Sequence, residues 1–344
     1  PQKTDNAQLV LTSRSVSVPI GFDHPGAIIG ERINPTGKKQ LIAELQEGVF
    51  TEAHRFASEQ VEQGAPVLDV NVGAPMVDEV ALLPELVTAL TGRFTAPLSI
   101  DSNDAKAVEA GLWVYPGSPL VNSISGEPGK MEELGPLCKL FGAPFILLPI
   151  VGNKLPVTAA ERIEVIEGLL SKADALGIPR RLIMVDALAL TVSSKPEAAR
   201  HSMEVMRHCR DEWNLPTTIG LSNISFGLPA RELLNSTFLT VSMASGLCSF
   251  IANPNSARIQ ESLHAAEVLL NRDPQAERYI DKYSDWTGGS SASSAPSSAP
   301  AKGGDTAGLP PVQAAVIKGD KDGVVALVEI ELENGMAAMN IVND

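Results

Sequence analysis

Acidic and carboxamide side chains recur in this sequence at one kind of position, the end of a short apolar run. Glu31 and Asn34 follow Ala27-Ile28-Ile29, Asp69 and Asn71 close the run from Pro66 to Val70, and Asp101 and Asn103 close Pro97 to Ile100. Asn122, Asp186 and Asn223 stand at the ends of later runs. A lone Asp or Asn after a strand is ordinarily a helix cap or an Asx turn. Recurrence at successive run ends points instead to a shared site, because several of these residues sit inside the run, where a buried polar group needs a partner. Carboxylates and carboxamides together suit a flat heterocycle whose edge presents N–H donors beside carbonyl acceptors.

Other chemistries lack their residues. The pattern at the run ends lacks a nucleophilic Ser or Cys beside a His, so acyl transfer is not expected, and no acid–base pair stands out as in a glycosidase. No apolar run ends in the Lys that a barrel aldolase would need. Cys138, Cys209 and Cys248 are far apart, and the five histidines show no His-x-x-x-His spacing, so no metal site built by this chain is expected. A net charge of -14 and only 4% aromatic residues argue against nucleic-acid binding. Neither a membrane-length apolar stretch nor a basic-then-apolar leader is visible, so the cytoplasm is the expected location and no membrane partner is expected.

The elements that must position these residues follow from the patterning. Eight apolar runs alternate with amphipathic stretches at 51–63, 78–91, 158–176, 195–212, 229–245 and 256–271. Thr158 and Ser256 are plausible helix caps. Continuous apolar runs suit parallel strands buried on both faces, and eight of them alternating with helices fit a (β/α)8 TIM barrel. A doubly wound sheet would want a Gly-x-Gly-x-x-Gly turn after the first strand, and Gly30-Glu31-Arg32-Ile33-Asn34 is not one. The expected organisation is an N-terminal arm over 1–25, the barrel over 26–285, a flexible Gly/Ser/Ala/Pro linker over 286–311, and an incomplete helical fragment over 312–344.

Six segments carry a resemblance: GERINPTGKK (30–39), VLDVNVGAP (67–75), PLSIDSND (97–104), LVNSISGE (120–127), MVDALAL (184–190) and TIGLSNISFGLPAR (218–231). Together they resemble the pterin-binding methyltransferases, and among these the folate domain of cobalamin-dependent methionine synthase. The likeness runs from about residue 8 to residue 275, and the segment 312–344 is similar to the opening helices of that family's cobalamin-domain cap. A dihydropteroate synthase would be expected to open its first strand end differently.

The resemblance implies that Asp101, Asn122 and Asp186 hold the pterin ring, with Asp186 as the bidentate carboxylate. Asn223 would sit near N5, the methyl-bearing nitrogen, as the group nearest the chemistry. Asp69, Asn71, Glu31 and Asn34 would line the floor or support the others, and Gly220 and Gly227 would let backbone approach the ligand. Arg231 would meet the benzoyl-glutamate tail, cap the loop after the seventh strand, or stand solvated at a helix start. The implied reaction moves the N5 methyl of 5-methyltetrahydrofolate to a cob(I)alamin carried by another domain, as one half of methionine synthesis. This chain alone is not expected to hold cobalamin, since the family's Asp-x-His-x-x-Gly motif is not among these residues. No general acid is evident, so the N5 proton is expected through water or a hydrogen-bond network. The alternatives are a methyltransferase serving a corrinoid iron–sulfur protein and a non-catalytic pterin-binding module.

Overall fold

The computed structural model describes residues 8–152, 155–286, 311, 312, 315 and 321–334. Residues 287–310, most of the stretch read as a linker, lie outside the described residues, as do 335–344. The chain divides into two compact units, Pro1–Ile280 and Asp281–Asp344. In the second, the described part is chiefly a helix, Lys321–Glu333, on which Val325, Ile330 and Leu332 are exposed.

The apolar runs become the parallel strands β3 (Ala27–Ile33), β4 (Val67–Val70), β5 (Leu98–Asp101), β6 (Leu120–Ser125), β7 (Phe145–Leu148), β8 (Ile183–Asp186), β9 (Thr217–Thr218) and β10 (Ser249–Ala252). They pair in the order β10-β3-β4-β5-β6-β7-β8-β9. The ring closes where the Cys248 N–H donates to the Thr217 carbonyl at 3.1 Å and the Ile251 N–H to the Ile219 carbonyl at 2.8 Å. This is a (β/α)8 barrel. The seventh strand is shorter than its apolar run predicts. Its pairing with β8 stops at Thr218, and Leu221–Ser225 winds into a 3-10 turn that carries Asn223.

Helices fill the intervals: α1 (Lys39–Gln46), α2 (Thr51–Glu62), α3 (Glu79–Arg93), α4 (Ala105–Val114), α5 (Lys130–Phe141), α6 (Ala159–Ala175), α7 (Ala198–His208), α8 (Arg231–Ser245), α9 (Ala257–Leu269) and α10 (Glu277–Tyr283). Their starts are chemically marked. Thr158 and Glu161 form a reciprocal capping box on α6, and Ser256 caps α9. Asp78 and Asp104 cap α3 and α4, the local role that a loop Asp most often takes.

Ahead of the barrel, β1 (Gln8–Thr12) and β2 (Ser17–Gly21) form an antiparallel hairpin. Its turn is held by the Ser13 hydroxyl oxygen, which accepts from the Ser15 and Val16 N–H groups. Leu9, Leu11 and Ile20 are fully buried against Ala27, Val67, Leu120, Ile146, Met184 and Cys248, which belong to or adjoin the strands. Several of these are first residues of strands, so the hairpin plugs the N-terminal end. Each such side chain contributes roughly 1.5–3 kcal/mol of burial. Tyr115 fastens the plug, donating from its hydroxyl to the Thr12 carbonyl at 2.9 Å and accepting from the Leu98 N–H at 3.2 Å.

Candidate active site

The opposite end of the sheet is polar. Glu31, Asn34, Asp69, Asp101, Asn122, Asp186, Gly220, Asn223 and Arg231 all line one cavity of about 650 Å³. A mostly apolar cavity of about 430 Å³, against α6, contains none of them. Asn71 stands behind the polar cavity. Its amide donates to Asp101 Oδ2 at 2.9 Å while its own Oδ1 accepts from the Gly73 N–H at 2.7 Å. Asn71 thus orients Asp101 rather than lining the wall.

The acidic floor is differentiated by its surroundings. Asp69 is 3% exposed, and the Asn122 amide donates to its Oδ1 at 3.2 Å. Burial, then the neighbouring Asp101 carboxylate, pushes Asp69 well above the usual carboxylate range. Burial raises Asp101 too, opposed first by the hydrogen bond from Asn71. Two buried carboxylates in this relation repel each other when both are ionised, so each raises the other's hold on its proton. Asp186 differs: burial pushes it up to about 6, so it is mostly ionised at neutral pH. Its Oδ1 accepts from the Leu188 N–H at 2.7 Å, which fixes the carboxylate at the start of the loop. The cavity therefore offers the Asp186 carboxylate beside an acidic pair whose proton affinity is raised.

The rim carries the opposite charge. Burial raises Glu31, while Lys38, Arg32 and Arg231 all act to lower it. Lys38 is lowered by its own burial and by Arg32, and its ammonium donates to the Asn34 carbonyl at 2.9 Å. Asn34 also makes the local turn that its residue type favours, with Oδ1 accepting from the Thr36 N–H at 3.0 Å.

Asn223 is exposed in the 3-10 turn, with its carboxamide lying back across Gly220. A Cβ at Gly220 would meet the Asn223 Nδ2 at 2.8 Å, so this glycine makes room for a side chain of the site itself. Arg231 braces the same turn: Nη2 donates to the Ser222 carbonyl at 2.9 Å, Nε to the Ser225 hydroxyl at 3.1 Å, and the guanidinium lies 4.6 Å from the centre of the Phe226 ring. Of the roles left open for Arg231, capping the loop is the one its hydrogen bonds make. Gly227, at φ 76°, needs its missing side chain for the left-handed backbone.

Sequence reasoning missed Arg32, Lys38, Phe226, Ile251 and Asn253, which also line the cavity. Arg32 and Lys38 sit beside Glu31 and Asn34 in one loop, so that loop carried a signal. Asn253, which directly follows β10, repeats the strand-end rule.

The barrel mouth gathers the Asp186 carboxylate, the Asp69–Asp101 pair and the carboxamides of Asn34, Asn122, Asn223 and Asn253, groups that suit a flat, hydrogen-bonding ring. The chain belongs to the pterin-binding enzyme family, whose sequence profile matches residues 30–253. It is 30% identical to the methylcorrinoid:tetrahydrofolate methyltransferase of Eubacterium limosum over 258 residues, covering 73% of this chain and 94% of that protein. It is 28% identical to the methionine synthase of Mycobacterium tuberculosis over 294 residues, 81% of this chain but 24% of that protein. The chain thus spans about a quarter of the length of that methionine synthase. A dihydropteroate synthase structure from Yersinia pestis superposes with a TM-score of 0.55 at 18% identity, over 76% of this chain and 99% of that one, and establishes the shared barrel.

Proposed function

We propose that the chain binds 5-methyltetrahydrofolate by its pterin ring and passes the N5 methyl to the cobalt of a corrinoid held on another domain. In this reading it is the folate half of a cobalamin-dependent methionine synthase. The observation that carries the reading is the cavity itself, which combines Asp186, Asn122 and the Asp69–Asp101 pair with the carboxamide of Asn223. Asp186 takes the 2-amino and N3–H donors as a bidentate acceptor. The acidic pair and Asn122 meet the mixed donors and acceptors along the rest of the ring. Asn223 faces N5 and hydrogen-bonds it as the carbon–nitrogen bond breaks; the bonding pair stays on nitrogen, which takes up a proton. The protein contributes orientation and stabilisation of that change, with no covalent nucleophile. Arg32 and Lys38 offer positive charge to the carboxylates of the benzoyl-glutamate tail. The corrinoid cobalt, when bound, supplies the methyl acceptor.

The helix Lys321–Glu333 is part of this reading as the opening of a corrinoid-domain cap. A cytoplasmic location belongs to it as well. Cys138, Cys209 and Cys248 are free and buried, which suits a reducing compartment, and among the described residues no helix is long and apolar enough to cross a membrane.

A second reading runs the transfer the other way, from a methylcorrinoid to tetrahydrofolate. It is favoured by the Eubacterium relative, 94% of whose length this chain covers. The test mixes the 344-residue chain with methyltetrahydrofolate and free cob(I)alamin and follows the cobalt absorption. Time-dependent loss of the cob(I)alamin bands is expected, and starting from methylcobalamin and tetrahydrofolate compares the two directions. Folate binding without transfer would leave a pterin-binding module. No folate binding at all would overturn the reading.

A further inference from the structure

Helix α6 buries the stripe Ala159, Arg162, Ile166, Leu169, Leu170 and Ala173. One member is a cation. Arg162 has no exposed surface, and an arginine so placed must satisfy its donors inside the protein. It does so against backbone: Nε donates to the Pro156 carbonyl at 3.2 Å and Nη2 to the Val157 carbonyl at 2.9 Å. Nη1 donates to the Ala187 carbonyl at 3.1 Å, the Leu188 carbonyl at 2.8 Å and the Ser202 hydroxyl at 3.1 Å. Ser202, on α7, in turn donates to the Leu188 carbonyl at 2.9 Å.

The carbonyls that Nη1 grips belong to the two residues that follow Asp186. Leu188 adopts φ 59°, a left-handed conformation that a leucine holds only when its surroundings impose it. In that conformation the Leu188 N–H reaches Asp186 Oδ1 at 2.7 Å. Arg162 therefore fixes the strained residue whose amide aims the cavity's carboxylate.

The charges around Asp186 leave Arg162 a second role. Strands β7 and β9, which flank β8, present no titratable side chain. On α6, Glu161 acts on the guanidinium, and on α7, His201 is turned to Glu197 and Glu204. The cavity is lined by the acidic Asp69, Asp101 and Glu31 and by the cationic Arg32, Lys38 and Arg231. Of these cations and Arg162, it is Arg162 that acts on Asp186, and it favours the ionised carboxylate.

We propose that Arg162, which lies outside the cavity, is a positioning residue for Asp186: its guanidinium pins the turn that aims this carboxylate and supplies the positive charge beside it. This rests on the pterin reading, in which Asp186 holds the ring. The experiment measures methyltetrahydrofolate affinity from pH 5 to pH 8 for the wild-type chain, Arg162→Met, Arg162→Lys and Ser202→Ala, with Asp186→Asn as reference. In Arg162→Met, affinity at pH 7 falls at least tenfold and the pH of half-maximal binding moves up by about one unit. Arg162→Lys keeps the charge and loses the fork of carbonyl bonds, so its midpoint stays near wild type while its affinity falls at all pH values. Ser202→Ala gives the smallest loss. In the Asp186→Asn background, Arg162→Lys has no further effect on affinity, whereas a merely structural arginine would weaken both backgrounds equally.

If Arg162→Met does not fold, the Arg162→Lys cycle with Asp186→Asn decides the matter. A folded Arg162→Met with unchanged affinity and midpoint, or an Arg162→Lys effect that persists without the carboxylate, overturns the inference. A wild-type chain that binds no methyltetrahydrofolate overturns the pterin reading beneath it.

Discussion

The two ends of the barrel use the same eight strands for opposite purposes. At the N-terminal end the strands meet Leu9, Leu11 and Ile20 of the hairpin, and the contact is apolar and closed. At the C-terminal end the strands and their loops supply Asp69, Asp101, Asn122 and Asp186, held polar around an open cavity. One end is built by burial, the other against it: each carboxylate at the mouth is raised by desolvation, a cost the fold carries so that the site exists. Barrels of this kind separate stability from function along their axis.

Cutting into the floor gives the largest expected effect. Leu11→Ala removes a fully buried side chain of the plug and lowers stability by about 2–5 kcal/mol, read from denaturant unfolding. Methyltetrahydrofolate affinity of the folded fraction stays unchanged, and an affinity loss matching the stability loss would break the separation. At the mouth the opposite holds. Asp186→Asn removes the bidentate acceptor and weakens folate binding about a hundredfold in calorimetry, while the melting temperature holds or rises. Asn223→Ala is smaller and more selective. Its exposed side chain contributes within about 0.5 kcal/mol to stability, yet methyl transfer falls about tenfold or more with a lesser change in affinity. Equal transfer rates in Asn223→Ala and wild type would remove this residue from the chemistry.

The mouth was more legible in the sequence than the floor, for a physical reason. A polar residue inside an apolar run is conspicuous, so Asp69, Asp101, Asn122 and Asp186 could be read directly. The hairpin strands β1 and β2 carry ordinary alternation, and nothing local says that their apolar face meets a barrel end; residues 1–25 read as no more than an arm. Pairing partners also decide where a strand stops, which is why the run around Thr218 to Leu221 promised more strand than forms. Functions of single residues divide likewise. Asn71 and Arg231 are legible as site residues, but which neighbour each serves depends on contacts across the chain. Arg162 left a trace: a cation at a core position of an apolar helical stripe demands an explanation. Its explanation, the turn after Asp186, lies 25 and 26 residues away.

The gentlest probe of the comparison is pH, read at the mouth through Asp186 by difference from Asp186→Asn. The carboxyl's value is raised from 3.8 to about 6, so the folded protein holds its proton more tightly than the unfolded chain. Over that window the unfolded state binds fewer protons, and this group's contribution to stability declines as pH rises from about 4 to about 6, then stays level. Pterin binding runs the other way. It needs the ionised acceptor, so affinity rises about tenfold per unit up to pH 6 and levels above it. Glu52 and Asp273 are lowered by their partners and act on stability in the opposite sense, which makes total stability a poor readout. The difference between wild type and Asp186→Asn isolates the single group. Its stability part should fall and its binding part rise across the same pH interval, with both levelling near pH 6. Two separate levelling points would mean that the carboxylate limiting stability is not the one that holds the ring.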